Sequence, residues 1–470
     1  MNDYFRLNSL RIEEKSFHTK EILLTKQSDY THENFYTLIV GNNGTGKSRL
    51  LGNIARYFSS PSFSIKGRSL FEDGFNYENR PQNIIALTSS LSDKFPNDQS
   101  FRFNTRKYST ESNYYYLGNR NRANAFSSKT LLSRALEIMF NNLSNTNILD
   151  KYCHLFNYLE YKPVIKIEYK SITGKRLSNY GKITSEELEK YILSKSEGNT
   201  YGSSFFKTFS NSRKQHIPSL QALLNKILNN EFGNYQLLIN FSSSNIERMN
   251  ESNLNYSEAT KEFFLFNLLE RLELVKRFSI KAYKEDNSEF DFNEASSGEV
   301  NILSTLISLI PLLSDGCLVL IDEPEISLHP SWQYRYIELL LKIFENFKGC
   351  HVIIASHSHF LVSDLPINNS SVITLINEKG VIKSEMIEGS TYGWSAEDIL
   401  LNVFDLPTTR NYYLSQLITE ALELLARYDR DNDRFIFLKE KLSKLEPYIK
   451  DYDPLKSVIK SIISFDSKLA

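Results

Sequence analysis

Apolar residues change their spacing several times along this chain, and each change marks an element. Residues 4 to 25 alternate apolar and polar positions, as in FRLNSLRI and EILLT, a period of two that predicts short strands. Tyr36 to Val40 is a nearly unbroken apolar run, as a buried strand requires. Leu50, Leu51, Ile54, Ala55 and Phe58 then recur at helical spacing, and NIIAL at 83–87 predicts another strand. Residues 97–128 are polar, rich in Asn, Ser, Arg and Tyr, and predict a long irregular excursion. From 129 to 275 helical patterns dominate (KTLLSRALEIMF, SLQALLNKIL, EATKEFFLFNLLERLEL), broken by two strand-like pieces, PVIKIEY and YQLLINF. Beyond them, SIKAYKEDNSEFDF reads as strand–loop–strand and ASSGEVNIL as the start of a helix. CLVLI and HVIIA are two further buried strands. ITLINEKGVIKSEMI predicts a hairpin turning at Lys379-Gly380. The last 80 or so residues are helical, opened by Ser395-Ala-Glu-Asp398, a capping-box-like start.

These patterns predict an α/β chain in four segments: 1–128, an amino-terminal lobe; 129–275, a mostly helical insertion; 276–390, a carboxy-terminal lobe; and 391–470, a helical region. No heptad is sustained, and no internal repeat is present. The chain has 470 residues with 55 Lys plus Arg against 56 Asp plus Glu, so any nucleic-acid surface must be local rather than global. Cys153, Cys317 and Cys350 form no CxxC, which argues against a zinc site or disulfide framework and fits a reducing cytoplasm. The apolar region at 300–321 is interrupted by Asn301, Ser304, Ser308, Pro311, Ser314 and Asp315, too broken for a membrane span.

Chemistry concentrates between the Tyr36–Val40 run and the helix after it. Gly41-Asn42-Asn43-Gly44-Thr45-Gly46-Lys47-Ser48-Arg49 fits GxxxxGK[ST]. Glycines let backbone N–H groups turn inward around phosphate oxygens, and the following helix points its positive end at the same anion. Lys47 is placed for the β- and γ-phosphates of ATP and the Ser48 hydroxyl for Mg²⁺. A second motif, Leu318-Val-Leu-Ile321-Asp322-Glu323, is a buried strand ending in two carboxylates. Asp322 is positioned to hold Mg²⁺. Glu323, on the opposite face by strand alternation, is positioned to polarise a water.

Asp322-Glu323-Pro324-Glu325-Ile326-Ser327-Leu328-His329-Pro330 resembles the Walker B and D-loop of ABC-type P-loop ATPases of the repair and defence branch. Glu294-Ala295-Ser296-Ser297-Gly298-Glu299 is similar to their signature motif, and Ile353-Ile-Ala-Ser356-His357-Ser358 to the strand that carries their switch histidine. The resemblance implies an ABC-type ATPase head, a mixed sheet flanked by helices, that binds ATP and Mg²⁺. Gly41 to Arg49 would hold nucleotide, with Ser48 and Asp322 on the metal, Glu323 as base and His357 as sensor. It further implies that one protomer cannot finish its own site. Two chains would sandwich ATP, with Ser296, Ser297, Gly298 and Glu299 serving the partner's nucleotide.

Among such ATPases the chain resembles the ATPase subunit of Septu-type anti-phage systems, PtuA, including retron-associated versions. Asp93-Lys94-Phe95-Pro96, Tyr116-Leu-Gly118-Asn-Arg120 and TYGWSAEDILLNVFDLPTTR carry that likeness. The resemblance implies a small HNH nuclease partner, assembly of dimers into a higher homo-oligomer, and nucleotide control of the nuclease. Two other readings stay open: a PARIS-like ATPase holding a Toprim effector, and a DNA-repair or DNA-scanning ATPase with no nuclease partner. The family's glutamine after the strand following Walker A has no counterpart, since Thr88, Ser89 and Ser90 stand there. Three other signals have blander readings. Asp150 with Glu168-Tyr-Lys170 loosely fits a nuclease D…ExK pattern but equally an exposed charged strand face. Asp429, Asp431 and Asp433 suggest a calcium loop but have Arg434 where glycine belongs. Arg102, Arg106, Lys107, Arg120 and Arg122 could hold DNA or simply solvate a loop.

Overall fold

The computed structural model describes residues 4–14, 16–25, 32–59, 64–65, 68–69, 74–96, 113–120, 128–142, 148–172, 183–198, 203–228, 234–242, 245–248, 251–254, 256–326, 328–406, 411–427 and 433–465. Arg102, Arg106, Lys107, Arg122, Ser327, Asp429 and Asp431 lie outside them. Two compact units emerge, Met1–Gly393 and Trp394–Ala470.

The first unit opens with strands β1 (Arg6–Leu10), β2 (Glu13–Glu14), β3 (Phe17–Thr19), β4 (Ile22–Leu23) and β5 (Phe35–Val40), then helix α1 (Lys47–Ser59). A small ribbon, β6 (Ser64–Ile65) and β7 (Arg68–Ser69), precedes β8 (Phe75–Glu78), β9 (Ile84–Thr88) and β10 (Tyr114–Gly118). Next come α2 (Ser128–Asn142), α3 (Leu149–Tyr158), β11 (Tyr161–Ser171), α4 (Ser185–Gly198) and α5 (Ser203–Leu228). They are followed by β12 (Asn234–Asn240), β13 (Asn245–Arg248), β14 (Glu251–Leu254), α6 (Tyr256–Arg271), β15 (Val275–Lys284) and β16 (Glu289–Asp291). The unit closes with α7 (Ser297–Leu309), β17 (Leu318–Asp322), α8 (Pro330–Phe344), β18 (His351–Ala355), α9 (Phe360–Ser363), β19 (Ser370–Glu378) and β20 (Val381–Met386).

Nine strands form the central mixed sheet, in the order β10-β9-β17-β18-β5-β19-β20-β3-β2. The six from β10 to β19 are mutually parallel. Every residue of β5, β9, β17 and β18 is buried, which is why those segments read as apolar runs and not as alternations. Leu50, Leu51, Ile54, Ala55 and Phe58 of α1 pack into the same core as Ile39, Ile84, Leu320 and Ile353. Each such large side chain contributes about 1.5–3 kcal/mol on burial. Parallel strands end on one edge of the sheet, so the chain segments after β5, β9, β17 and β18 meet there. That edge is where open α/β sheets place ligands.

The tyrosine run of the polar 97–128 stretch is strand β10, paired parallel with β9 from Tyr114↔Ile84 to Gly118↔Thr88. The two strand-like pieces of the helical stretch are β11 and β12. They join β13, β14, β15 and β16 in a six-stranded antiparallel sheet, ordered β14-β13-β12-β11-β15-β16. On it Glu168 accepts from Gln236 Nε2 at 3.0 Å and from the Ser279 hydroxyl, with Lys166 and Lys281 at 3.3 and 3.4 Å. Asp150 pairs instead with Lys151, at 3.2 Å. The β19–β20 hairpin turns at Lys379 (φ 53°) and Gly380 (φ 90°), two left-handed residues suited to the strand twist.

His351 is fully buried at the start of β18. Its Nδ1 accepts from Leu7 N–H at 3.2 Å, so Nε2 carries the proton and donates to Thr37 Oγ1 at 2.9 Å. The second unit contains α10 (Ala396–Asn402), α11 (Tyr412–Ala426), α12 (Asp433–Leu445) and α13 (Pro454–Ser464). Leu417, Ile418, Ala421, Phe435, Leu438, Leu442, Ile459 and Ile462 form its core. Ser395 caps α10 by accepting from Asp398 N–H. Among the described residues no helix is long and apolar enough to cross a membrane.

Candidate functional site

The site is built from four chain segments on the carboxy-terminal edge of the parallel strands. The first is the loop from β5 to α1. Gly44 and Gly46 take φ of 82° and 90°, conformations that side-chain-bearing residues seldom adopt. At Gly46 a Cβ would lie 2.4 Å from Phe17 Cε2, so only glycine fits there. Thr45 N–H and hydroxyl both reach the Asn42 carbonyl, at 3.3 and 2.9 Å, which closes the loop. Asn42 and Asn43 are exposed, and Arg49 reaches back to the Ser16 carbonyl at 2.9 Å. The amino end of α1 lies at this loop, so its unpaired N–H groups and dipole favour an anion there.

Lys47 is the centre of the arrangement. Its Nζ donates to Gly41 O and to His357 Nε2, both at 2.8 Å. Burial lowers its affinity for a proton, while the charges of Glu323, Asp322 and Glu325 oppose that. Burial, with the Lys47 charge, lowers the His357 imidazole too, so its Nε2 is the acceptor in this pair. Glu323 Oε1 stands 3.7 Å from the same nitrogen. Lys47 and His357, 310 residues apart in the sequence, thus touch, and Glu323 stands beside the same imidazole.

Beside them, Ser48 Oγ donates to Asp322 Oδ1 at 3.0 Å. Asp322 Oδ2 is buried with no hydrogen-bond partner. Burial pushes this carboxyl up to about 7; the nearby charges of Glu323 and Asp93 add to that, and the Ser48 hydrogen bond and Lys47 oppose it. A hydroxyl and a carboxylate with an orphaned oxygen are the hard oxygen donors that Mg²⁺ takes, so the residues present fit that ion. Strand alternation predicts Glu323 on the face opposite Asp322, but β17 ends at Asp322 and Glu323 adopts φ 50°. This left-handed turn brings Glu323 to His357.

In the signature-like stretch, Ser296 and Glu299 form a capping box on α7: Ser296 Oγ accepts from Glu299 N–H at 3.2 Å, and Glu299 accepts from Ser296 N–H at 2.8 Å. Ser296 and Ser297 are exposed and Gly298 is buried. Glu299 also accepts from the Tyr161 hydroxyl at 3.5 Å. Within this chain, among the described residues, no hydrogen bond joins these four to the Gly41–Ser48 loop.

Four residues that the motifs contain but to which the sequence assigns no contact also stand near the site. Thr88 ends β9 in register with Asp322, and its Oγ1 accepts from Ser90 N–H. Asp93 is buried; it accepts from the Tyr116 hydroxyl at 2.9 Å, from Arg120 at 3.1 Å and from Phe95 N–H at 3.0 Å. Lys94 O packs so closely on α1 that a Cβ at Gly52 would lie 2.4 Å from it. The DKFP stretch is thus a brace between α1 and β10. Glu325 accepts from His357 N–H at 2.5 Å.

The chain is 27% identical over 222 residues to the Septu protein PtuA of Bacillus thuringiensis, a match covering 44% of this chain and about half of that one, 54%. It is 24% identical over 444 residues to the "Retron Vc95 probable ATPase" of Vibrio cholerae serotype O1 biovar El Tor, covering 84% of this chain and 80% of the relative. The Smc head domain of Pyrococcus furiosus aligns with 82% of the chain at 12% identity and a TM-score of 0.33. The family profile described as "AAA domain, putative AbiEii toxin, Type IV TA system" matches residues 36–363, from β5 to beyond His357. This chain therefore belongs to that family, an ABC-type AAA ATPase related to the Septu and retron ATPases.

Proposed function

We propose that this chain binds ATP with Mg²⁺, hydrolyses it between two copies of itself, and so governs a partner nuclease in defence against phage. The observation that supports the reading best is the meeting of Lys47, Ser48, Asp322, Glu323 and His357 at one sheet edge. Backbone N–H groups from Asn42 to Ser48 would cradle the phosphates, and Lys47 would exchange a present partner for a phosphate oxygen. Ser48 and Asp322 would hold Mg²⁺, which supplies charge neutralisation on the phosphates. Glu323 takes the proton from the attacking water. A neutral His357 presents its imidazole to the phosphate end. Ser296, Ser297, Gly298 and Glu299 serve the nucleotide of the second copy, and dimers assemble further. The Septu resemblance supports an HNH nuclease as partner.

Phosphate release from Mg²⁺–ATP by the purified chain tests the reading. Lys47→Ala loses nucleotide binding. Glu323→Gln keeps binding, loses at least about 100-fold in turnover, and accumulates as a dimer in ATP. Undiminished turnover by Glu323→Gln would remove the base assignment. Co-expression with an HNH protein encoded beside this chain, followed by co-purification, tests the partner.

A further inference from the structure

We propose that Glu325 is the positioning residue for His357: its carboxylate clamps the main chain of the switch loop and so sets the imidazole against Lys47 and Glu323. The proposal rests on the ATPase reading for its kinetic arm only. After β17 the left-handed Glu323 reverses the chain, and Pro324 follows with its φ fixed. Two bonds then lace this segment to the one after β18. Glu323 N–H donates to Ala355 O at 2.8 Å, and two residues on, Glu325 Oε1 accepts from His357 N–H at 2.5 Å. The first bond continues the strand pairing. The second comes from a side chain, at the residue whose ring must be placed.

The other carboxylate oxygen of Glu325, Oε2, is buried with no hydrogen-bond partner. A glutamate serving only as surface charge would turn that oxygen to water. Held inward, the carboxylate grips the His357 main chain through Oε1, with the Ser356 hydroxyl also drawn to it, and a charged acceptor makes the His357 bond one of the stronger kind. The ring so placed lies 2.8 Å from Lys47 Nζ and 3.7 Å from Glu323 Oε1. Ser358, next in the loop, is anchored separately: its hydroxyl donates to Gln333 Oε1 at 2.9 Å. Glu325 is therefore the side chain that tethers the His357 main chain.

Full-length Glu325→Ala, Glu325→Asp and Glu325→Gln decide this. The first readout is the rate at which diethyl pyrocarbonate modifies His357 in the nucleotide-free protein, by peptide mass spectrometry, with exposed His329 as the internal reference. The second is the split of kcat and KM for Mg²⁺–ATP. Alanine removes the acceptor and aspartate shortens its reach; both should raise His357 modification severalfold and lower kcat about tenfold to a hundredfold, with KM near wild type. Glutamine keeps a carbonyl oxygen at the same reach and should restore both readouts. Unchanged His357 reactivity in the alanine and aspartate variants overturns the proposal, whether or not the chain turns over ATP. So does a rise in KM at constant kcat, which would make Glu325 a nucleotide ligand. Should the alanine variant not fold, aspartate against glutamine makes the same comparison. A wild-type chain without ATPase activity would sink the proposed function and leave His357 reactivity to judge the clamp.

Discussion

Asp322→Asn is the sharpest test of how the site is wired. In the wild-type fold the Asp322 carboxyl is buried, has one hydrogen bond from Ser48 and is pushed up from its ordinary 3.8 to about 7, chiefly by burial. The folded state thus binds a proton more tightly than the unfolded chain. The group's contribution to stability is full below pH 3.8 and is lost as pH rises through about 7. Linkage between those two values gives a penalty on the order of 4 kcal/mol once the carboxyl ionises, of which about 2–3 kcal/mol develops between pH 5 and 8. Asparagine keeps a carbonyl for the Ser48 hydroxyl and cannot ionise. The assay is urea unfolding of both proteins, without nucleotide or Mg²⁺, followed by circular dichroism at intervals from pH 5 to 8. The stability of Asp322→Asn relative to wild type should rise by about 2–3 kcal/mol over that range. Groups that titrate identically in both proteins cancel from the difference. Adding Mg²⁺ with ATP supplies a cation to the ionised carboxylate and should shrink the gap. A gap that stays constant with pH would refute the argument, because the carboxylate would then be as well solvated folded as unfolded.

Two further predictions concern the scaffold. Burial holds His351 well below the ordinary histidine value, so the unfolded chain binds its proton more tightly, and stability is full above about pH 6.5 and falls as pH drops below it; urea unfolding of His351→Gln should show a weaker acid dependence than wild type. Gly46→Ala and Gly44→Ala both pay left-handed strain of about 1–2 kcal/mol, but only the first drives a methyl into Phe17, whereas nothing lies within 4 Å at Gly44. Gly46→Ala should therefore be the less stable by a further 1–3 kcal/mol or so in the same assay. Equal losses would show that the Phe17 contact yields at no cost.

Local chemistry was readable wherever a residue's neighbours in space are also its neighbours in sequence. The glycine spacing of 41–46, the caps at Ser296 and Ser395 and the turn at Lys379-Gly380 each answer to backbone geometry within a few residues, and each stands where the pattern put it. Strand β10 was read as irregular because its flanks are polar and its tyrosines carry hydroxyls. Asp93 takes one hydroxyl and Pro96 O another, which lets those rings be buried. Four strands of the antiparallel sheet, β11, β12, β15 and β16, are legible in the pattern; β13 and β14 are not, since they are short and polar and owe their place to pairing rather than to hydrophobic pattern.

The sequence by itself determined that a glycine-rich loop, a serine-capped helix, a strand ending in two acids and a strand leading to His357 occur in that order, because each is a local pattern with a local cause. Only the tertiary structure decided that Lys47, His357 and Glu323 touch, that Asp322 is left with an unpaired buried oxygen, and that Glu325 grips the His357 backbone. Those relations depend on the order in which parallel strands are laid side by side and on a left-handed turn at one glutamate. Neither leaves a mark in the spacing of residues along the chain.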